Sequence, residues 1–126
     1  MSMRTPLGEV RGLGSARSGT GHWWLQRVTA IANIPLVIAV VAWLVCHLGA
    51  TRAEVLASFK NPWVALTFIL ALVSVLWHMR LGLQVVIEDY VHAHAAKFAT
   101  LLFNTFYTVA LGAAALYAIL KMSFGL

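Results

Sequence analysis

The sequence is poor in cysteine and in charged side chains. Its one cysteine, Cys46, cannot form an internal disulfide and has no CxxC or zinc-type spacing around it. The sequence offers no set of cysteines for an iron–sulfur cluster and no glycine motif for binding a nucleotide. These absences exclude the common disulfide, cluster and nucleotide-binding frameworks from this chain.

Apolar residues dominate what is present. Hydrophobic residues make up 61% of the 126 residues and charged residues 10%, and the mean hydropathy is +0.84. This composition is typical of a membrane protein and not of a soluble domain. The formal charge of +5 is not concentrated among aromatic residues on a soluble module. It therefore indicates attraction to an anionic lipid leaflet, and no binding of nucleic acid is expected.

Residues 1–24 are rich in glycine and arginine and show neither helical nor strand periodicity. We expect a flexible cytoplasmic tail that ends in an interfacial segment, because Trp23 and Trp24 suit the lipid headgroup zone. No apolar run followed by a small-residue cleavage site occurs here, so the expectation is an uncleaved bacterial N-terminus.

The remainder, residues 25–126, is predicted to be an all-α membrane domain with three transmembrane helices. Each predicted span is long enough to cross roughly 30 Å of hydrocarbon. The predicted spans cover about 25–50, 62–87 and 98–121, with polar connections at 51–61 and 91–97.

Two features inside the spans predict local structure. Pro35 lies within the first span, where a kink is expected, with Thr29 or Asn33 available to satisfy the freed backbone groups. On the third span, small residues recur every four positions and predict close helix packing. They are Ala110, Ala114 and Ala118.

The lysines and arginines favour a cytoplasmic N-terminus and an outer C-terminus, because more of them fall on the N-terminal side of the membrane. In this orientation His78 lies roughly 24 Å along the second span from its outer end, at about 1.5 Å per residue. His78 is then in the cytoplasmic part of the membrane, and His47 is near the opposite face.

The stretch from Trp77 to Tyr90 places ionisable side chains where lipid is expected. Read as a helix, it puts His78, Gly82 and Asp89 on one narrow face. A histidine inside a bilayer needs a hydrogen bond or a metal. One interpretation is a hydrogen bond to a hydroxyl or carbonyl of a neighbouring helix. The other is ligation of a haem, which Gly82 favours because a missing side chain lets a flat macrocycle approach.

A haem bound by His78 would need a second axial ligand from another chain. A low-spin b-type haem takes two imidazoles across its iron, and His47 cannot reach the iron that His78 would bind. His22 is on the same side as His78 but outside the hydrocarbon. The sequence thus predicts half of a heterodimeric helical anchor bundle, which is not an enzyme by itself.

Two motifs and the overall layout carry a family resemblance. The motifs are Arg27-x-Thr29-Ala30 at the start of the first helix and His78-x10-Asp89-Tyr90 in the second. With these motifs, its length and its three spans, nearly the whole chain resembles the small, cytochrome b-type hydrophobic membrane anchor of succinate dehydrogenase. The stretch from Gly19 to Asn33 is similar to the alphaproteobacterial and mitochondrial branch of that family.

The resemblance implies a role for each of four residues. His78 would be an axial ligand to the iron of a b haem, and this haem would be shared with a larger cytochrome b-type anchor subunit. Arg27 would lie near the haem propionates. Tyr90 would donate its phenol to a carbonyl of the substrate ubiquinone, with Asp89 beside it in the pocket. For Arg27 a headgroup contact, and for Tyr90 a place in the interfacial aromatic belt, are the alternatives.

The resemblance also implies partners and a location. The partners are the cytochrome b-type subunit, an iron–sulfur subunit and an FAD flavoprotein, and the location is the bacterial inner membrane in preference to the mitochondrial one. Two alternatives stay open. One is the anchor of a fumarate reductase, which works in the opposite direction. The other is a non-redox scaffold or transporter subunit that uses His78, Arg80 and Asp89 as a polar relay.

Overall fold

The computed structural model describes residues 5–12 and 19–125, of which 88% are helical and none is in a strand. Helices α2, α4 and α5 are long and apolar enough to cross a membrane. The predicted all-α class and the three spans are therefore confirmed. The helices are α1 (Pro6–Val10), α2 (Gly19–Cys46), α3 (Arg52–Phe59), α4 (Pro62–Tyr90) and α5 (His94–Phe124).

Helix α4 begins where the sequence predicts and extends beyond the predicted end. The Asn61 side chain accepts the backbone N–H of Trp63 at 3.0 Å, and Pro62 occupies the first turn. The helix continues through the acidic residues Glu88 and Asp89 to Tyr90. The limit at residue 87 assumed that acids end the helix, but they end only its apolar part.

The connection predicted at 51–61 contains a helix, α3, that the sequence reading missed. Thr51 and Glu54 form a reciprocal capping box, with the Thr51 N–H donating to the Glu54 carboxylate at 2.7 Å. The hydrogen bonds from the Thr51 backbone and hydroxyl lower the pKa of Glu54. The threonine–x–x–glutamate spacing was the signal for this helix.

The other helix ends also differ from the predicted ones. Helix α2 begins at Gly19, inside the predicted tail of residues 1–24, and ends at Cys46 instead of about residue 50. Helix α5 begins four residues earlier than residue 98 and ends three later than residue 121. Within the predicted tail, α1 is also helical, whereas residues 1–4 and 13–18 lie outside the described part of the chain.

Helix α2 continues through Pro35 without a break in its helical assignment. The hydroxyl of Thr29 lies 2.8 Å from the Leu25 carbonyl, one turn back, and Asn33 accepts a hydrogen bond from Ser74. The prediction that Thr29 or Asn33 satisfies the backbone freed by Pro35 is wrong. Both side chains instead take part in contacts between α2 and α4.

Helix α4 lies between α2 and α5 and contacts both, whereas in the described residues α2 and α5 have no Cα atoms within 8 Å of each other. The buried apolar core is correspondingly small, and no residue of α2 is fully buried. The core residues are Phe59, Ala65, Ala71, Leu81 and Ile119. Most large apolar side chains instead face outward, as helices in contact with lipid or other subunits require.

The face of α5 that packs on α4 is not the predicted alanine stripe, whose three members are exposed. The packed face carries the buried residues Asn104, Thr108 and Ile119. Gly112 lies on this face at the point of closest approach, where an added Cβ would be 3.1 Å from the Leu76 side chain. The four-residue spacing of alanines was real, but the neighbouring face of the same helix is the one that meets α4.

Replacing Gly112 with leucine should destabilise the α4–α5 contact, because a side chain there must displace Leu76. Overpacking of this kind costs about 1–3 kcal/mol. We expect a lower midpoint of thermal unfolding in detergent for Gly112→Leu. The matched control is Ala113→Leu at the neighbouring exposed position. Equal midpoints for the two variants would contradict the assignment of Gly112 to the packed face.

Candidate functional site

A groove lies between α2 and α4, near the end of the protein where α2 begins and α4 ends. Its volume is about 670 Å³, and we call it the α2–α4 groove. Its lining combines imidazole, amide, guanidinium and carboxylate groups, which is unusual beside long apolar helices. The lining residues are Gly19, His22, Trp23, Gln26, Arg27, Ala30, His78, Gln84, Val85 and Glu88.

His78 is half-buried in this groove and is held from α2. Its Nδ1 atom lies 3.1 Å from the hydroxyl of Thr29. The interpretation that His78 bonds a hydroxyl of a neighbouring helix is thereby confirmed. Imidazole has two nitrogens, and within the described ranges no hydrogen bond involves Nε2. The hydrogen bond to Thr29 is therefore compatible with a ligand on Nε2.

Polar contacts continue along α2 and α4 away from His78. The Ser74 hydroxyl, one turn before His78, donates to Asn33 Oδ1 at 2.6 Å and lies 3.5 Å from the Thr29 carbonyl. The pairs Thr29–Asn33 and Ser74–His78 each span one helical turn. We call these four residues the polar seam between α2 and α4. The matching one-turn spacing of polar residues in two apolar spans was a signal in the sequence for this seam, and the prediction did not use it.

Gly82 does not open an empty space beside His78. An added Cβ at Gly82 would lie 3.6 Å from the amide nitrogen of Gln26, an ordinary van der Waals distance. The prediction that Gly82 leaves room for a flat ligand stays a prediction, and in the chain by itself the Gln26 side chain lies next to the glycine. A ligand close to Gly82 would have to displace that flexible side chain.

Two polar atoms in the groove are buried without a hydrogen-bond partner. They are His22 Nε2 and Gln26 Oε1, one turn apart on α2. A buried polar atom is normally satisfied by a partner, and leaving it unsatisfied costs free energy. This donor set, together with His78, fits a group that brings its own polar atoms into the groove.

Arg27 and Glu88 give the groove one positive and one negative side chain. The Arg27 guanidinium carbon lies 5.5 Å from the centroid of the Trp23 ring, within the range of a cation–π contact. Glu88 accepts a hydrogen bond from Gln84 at 2.8 Å. Arg27 thus lines the same groove as His78, its expected place near haem propionates stays a prediction, and Glu88 is a groove residue that the prediction did not include.

Asp89 and Tyr90 lie outside the groove. Both are exposed at the end of α4, Tyr90 with 80% of its surface accessible. Of the predicted common face, His78 lines the groove, whereas Glu88 lines it in place of Asp89. A pocket around Asp89 and Tyr90 would therefore need walls from another molecule.

Of the other four histidines, His22 lines the same groove as His78, and the remaining three lie elsewhere. His47 lies at the opposite end of α2, with its ring stacked on Trp43 at 4.2 Å. His92 and His94 are exposed beyond the end of α4. Among the described residues, no group of three or more His, Cys, Asp and Glu side chains could hold a metal ion.

Arg80 faces away from the groove. Its guanidinium carbon lies 5.7 Å from the Trp77 ring centroid, and the residue lines a separate surface groove with Thr105 and Thr108 of α5. The Arg80 carbonyl accepts a hydrogen bond from the buried Asn104 side chain at 3.0 Å. Because His78, Arg80 and Asp89 point to different surroundings, they do not form a polar relay within this chain.

Three long apolar helices define a multi-pass membrane protein, and His78 lies in a groove between two of them. Residues 1–112 match the family described as "Succinate dehydrogenase/Fumarate reductase transmembrane subunit". The chain belongs to this family, and the resemblance to the succinate dehydrogenase hydrophobic membrane anchors is confirmed.

Individual relatives support the family assignment over most of the chain. The chain is 35% identical to the "Succinate dehydrogenase hydrophobic membrane anchor subunit" of Paracoccus denitrificans, over 96% of this chain and 93% of that protein. It is 30% identical to the protein of the same name from Rickettsia bellii, over 75% of each chain. The "Succinate dehydrogenase membrane anchor subunit" of Reclinomonas americana is 30% identical, over 68% of this chain and 73% of that protein. No solved structure matches the chain significantly.

Proposed function

We propose that this chain is the membrane anchor subunit of a succinate:ubiquinone oxidoreductase, and that it contributes His78 to a b haem shared with a second anchor subunit. The observation that carries the proposal is the hydrogen bond between Nδ1 of His78 and the hydroxyl of Thr29, which engages Nδ1 and leaves Nε2 for a ligand at the α2–α4 groove. The relatives, which are named as succinate dehydrogenase anchors, support the same assignment.

The groove residues fit a haem edge chemically. His78 would supply one axial nitrogen, and Arg27 would pair with a propionate through its guanidinium. The unpartnered His22 Nε2, when it carries a proton, would gain an acceptor in a propionate oxygen. The haem, when bound, supplies one-electron redox chemistry. A second ligand would come from the cytochrome b-type subunit, as the family resemblance implies; of the other described histidines, His47 lies at the opposite end of α2, and His92 and His94 are exposed.

Tyr90 and Asp89 are proposed to belong to the ubiquinone site. The phenol of Tyr90 is a neutral donor whose hydrogen bond to a quinone carbonyl strengthens as negative charge develops on the oxygen. The Asp89 carboxylate can pass on protons that quinone reduction consumes. The exposure of both residues supports a site completed by the partner subunits.

The partners and the orientation follow from this function. The N-terminus and the end of α4 face the cytoplasm of a bacterial inner membrane, on the side where the iron–sulfur and FAD subunits dock. Electrons from succinate pass through the FAD and the iron–sulfur clusters to ubiquinone. This chain supplies membrane attachment and part of the haem and quinone sites, and takes no part in the oxidation of succinate.

Membranes from cells lacking this chain test the proposal. We expect succinate-driven ubiquinone reduction to be lost from the membranes and restored by the wild-type chain. Succinate oxidation by an artificial dye acceptor should persist but move to the soluble fraction, because the flavoprotein has lost its anchor. Succinate activity that stays bound to the membrane and linked to ubiquinone would contradict the proposal. A restored fumarate reduction by menaquinol, without succinate oxidation, would assign the chain to a fumarate reductase.

A further inference from the structure

We propose that Thr29 is a positioning residue for His78. Its hydroxyl oxygen accepts a hydrogen bond from Nδ1–H, and this bond fixes the tautomer and the ring orientation that leave Nε2 free to bind iron. This inference rests on the proposed function, because it assumes that His78 ligates the haem. It goes beyond that function by assigning the ligand's orientation to a residue on the neighbouring helix.

The hydrogen bonds around Thr29 determine the direction of its contact with His78. The hydroxyl oxygen lies 2.8 Å from the Leu25 carbonyl and 3.2 Å from the Gln26 carbonyl, besides 3.1 Å from His78 Nδ1. Carbonyl oxygens only accept, and the hydroxyl has one proton to give. The shortest of the three contacts, that to Leu25, takes this proton. In the hydrogen bond between Thr29 and His78, Nδ1–H is then the donor and the Thr29 oxygen is the acceptor.

This arrangement determines what the other imidazole nitrogen can do. A neutral imidazole carries one proton, so a proton on Nδ1 leaves Nε2 with a free lone pair. A hydrogen bond from Nδ1–H to an oxygen also raises the basicity of the ring and fixes its plane. Thr29 therefore prepares His78 for metal ligation before any ligand is present.

Further contacts hold Thr29 itself in register with α4. Its side chain is β-branched and has restricted rotation about χ1, and the contacts to the preceding turn of α2 select its rotamer. Ser74, one turn from His78, lies 3.5 Å from the Thr29 carbonyl and bonds Asn33 at 2.6 Å. The seam thus sets the position of α2 against α4 beside the histidine.

The test uses the purified complex with Thr29→Val and Thr29→Ser, and measures the haem midpoint potential and the haem content. Valine keeps the branched shape but cannot accept a hydrogen bond from Nδ1–H. The His78 imidazole therefore becomes less basic, and the ferric haem is less stabilised. We expect a raised potential and haem affinity reduced about 10- to 100-fold for Thr29→Val. Thr29→Ser restores the acceptor and should behave like the wild type.

Thr100→Val is the matched control. The Thr100 hydroxyl contacts the carbonyls of Ala96 and Lys97 at 2.8 and 3.0 Å, with the same spacing as Thr29 but without a histidine. This variant should leave the potential and the haem content unchanged. If Thr29→Val fails to assemble, Thr29→Cys replaces it, because sulfur is a weak acceptor of similar size. We expect that variant to raise the potential as well.

The outcomes separate this inference from the proposed function. A wild-type potential in Thr29→Val or Thr29→Cys, with haem lost on His78→Ala, overturns the role of Thr29 alone. That role is also overturned if Thr29→Ser shifts the potential as much as Thr29→Val. A haem that His78→Ala leaves unchanged overturns the proposed function, and with it this inference.

Discussion

Replacing His78 with alanine is expected to abolish the low-spin b-type spectrum of the purified complex. Among the described residues, the His78 imidazole is the histidine ring that contacts Thr29, and the methyl group of alanine offers the iron no ligand in its place. The reduced-minus-oxidised visible spectrum should lose its sharp α band, either because the haem dissociates or because it becomes high-spin. Since the Thr29 oxygen alone cannot replace a nitrogen ligand, partial retention of the low-spin band is not expected.

His47→Ala is the matched control for this experiment. His47 is also a half-buried histidine near a helix end, but it stacks on Trp43 at the opposite end of α2. Its loss should leave the haem spectrum unchanged. A spectrum that His47→Ala alters and His78→Ala does not would move the haem to the other end of the protein and contradict the assignment of the α2–α4 groove.

Replacing Tyr90 with phenylalanine is expected to slow ubiquinone reduction while the haem stays in place. The change removes one hydroxyl from an exposed ring at the end of α4, so folding should not suffer. The loss of one hydrogen bond that strengthens as charge develops reduces turnover by about 100-fold. The measurement compares succinate-to-ubiquinone turnover with succinate oxidation by an artificial dye, which should remain normal.

Tyr117→Phe serves as the control for Tyr90→Phe. Tyr117 lies near the other end of the protein on α5 and is 66% exposed. The complex with Tyr117→Phe should reduce ubiquinone at the wild-type rate. Normal turnover in Tyr90→Phe would return that residue to the alternative interpretation, an aromatic side chain in the membrane interface.

The three spans could be predicted because length and apolar composition alone set them. The start of α4 was also legible, since Asn61 and Pro62 are a cap and a first-turn residue. Other helix ends were predicted less accurately, because α2 and α4 continue as helices into polar sequence at Gly19 and Glu88. Hydropathy marks where a helix leaves an apolar environment, which is a different position from where its hydrogen bonds stop.

Packing between helices could not be predicted from one helix at a time. The alanine stripe of α5 predicted a close contact, but Gly112 makes that contact because Leu76 of α4 lies opposite it. The choice between two adjacent faces depends on the partner helix, which periodicity does not contain. The small helix α3 is different, because its threonine–glutamate capping box was present in the sequence and was read as a loop.

The candidate site also has a part that the sequence predicts and a part that depends on how two helices pack. His78 stood out from the sequence because an imidazole inside an apolar span needs a partner. Its partner, Thr29, is 49 residues away in sequence and becomes visible only with the register of α2 against α4. The neighbour of Gly82, Gln26 of α2, also becomes visible only with that register. The roles of Asp89 and Tyr90 stay predictions that depend on surfaces outside this chain.

The most direct test of the account is a reduced-minus-oxidised visible spectrum of the complex purified through an affinity tag on this chain, with its subunits separated on a gel. We predict a b-type haem band, together with a second anchor chain, an iron–sulfur subunit and a flavoprotein. A tagged chain that brings neither haem nor these large partners would contradict the proposal that His78 completes a shared haem site.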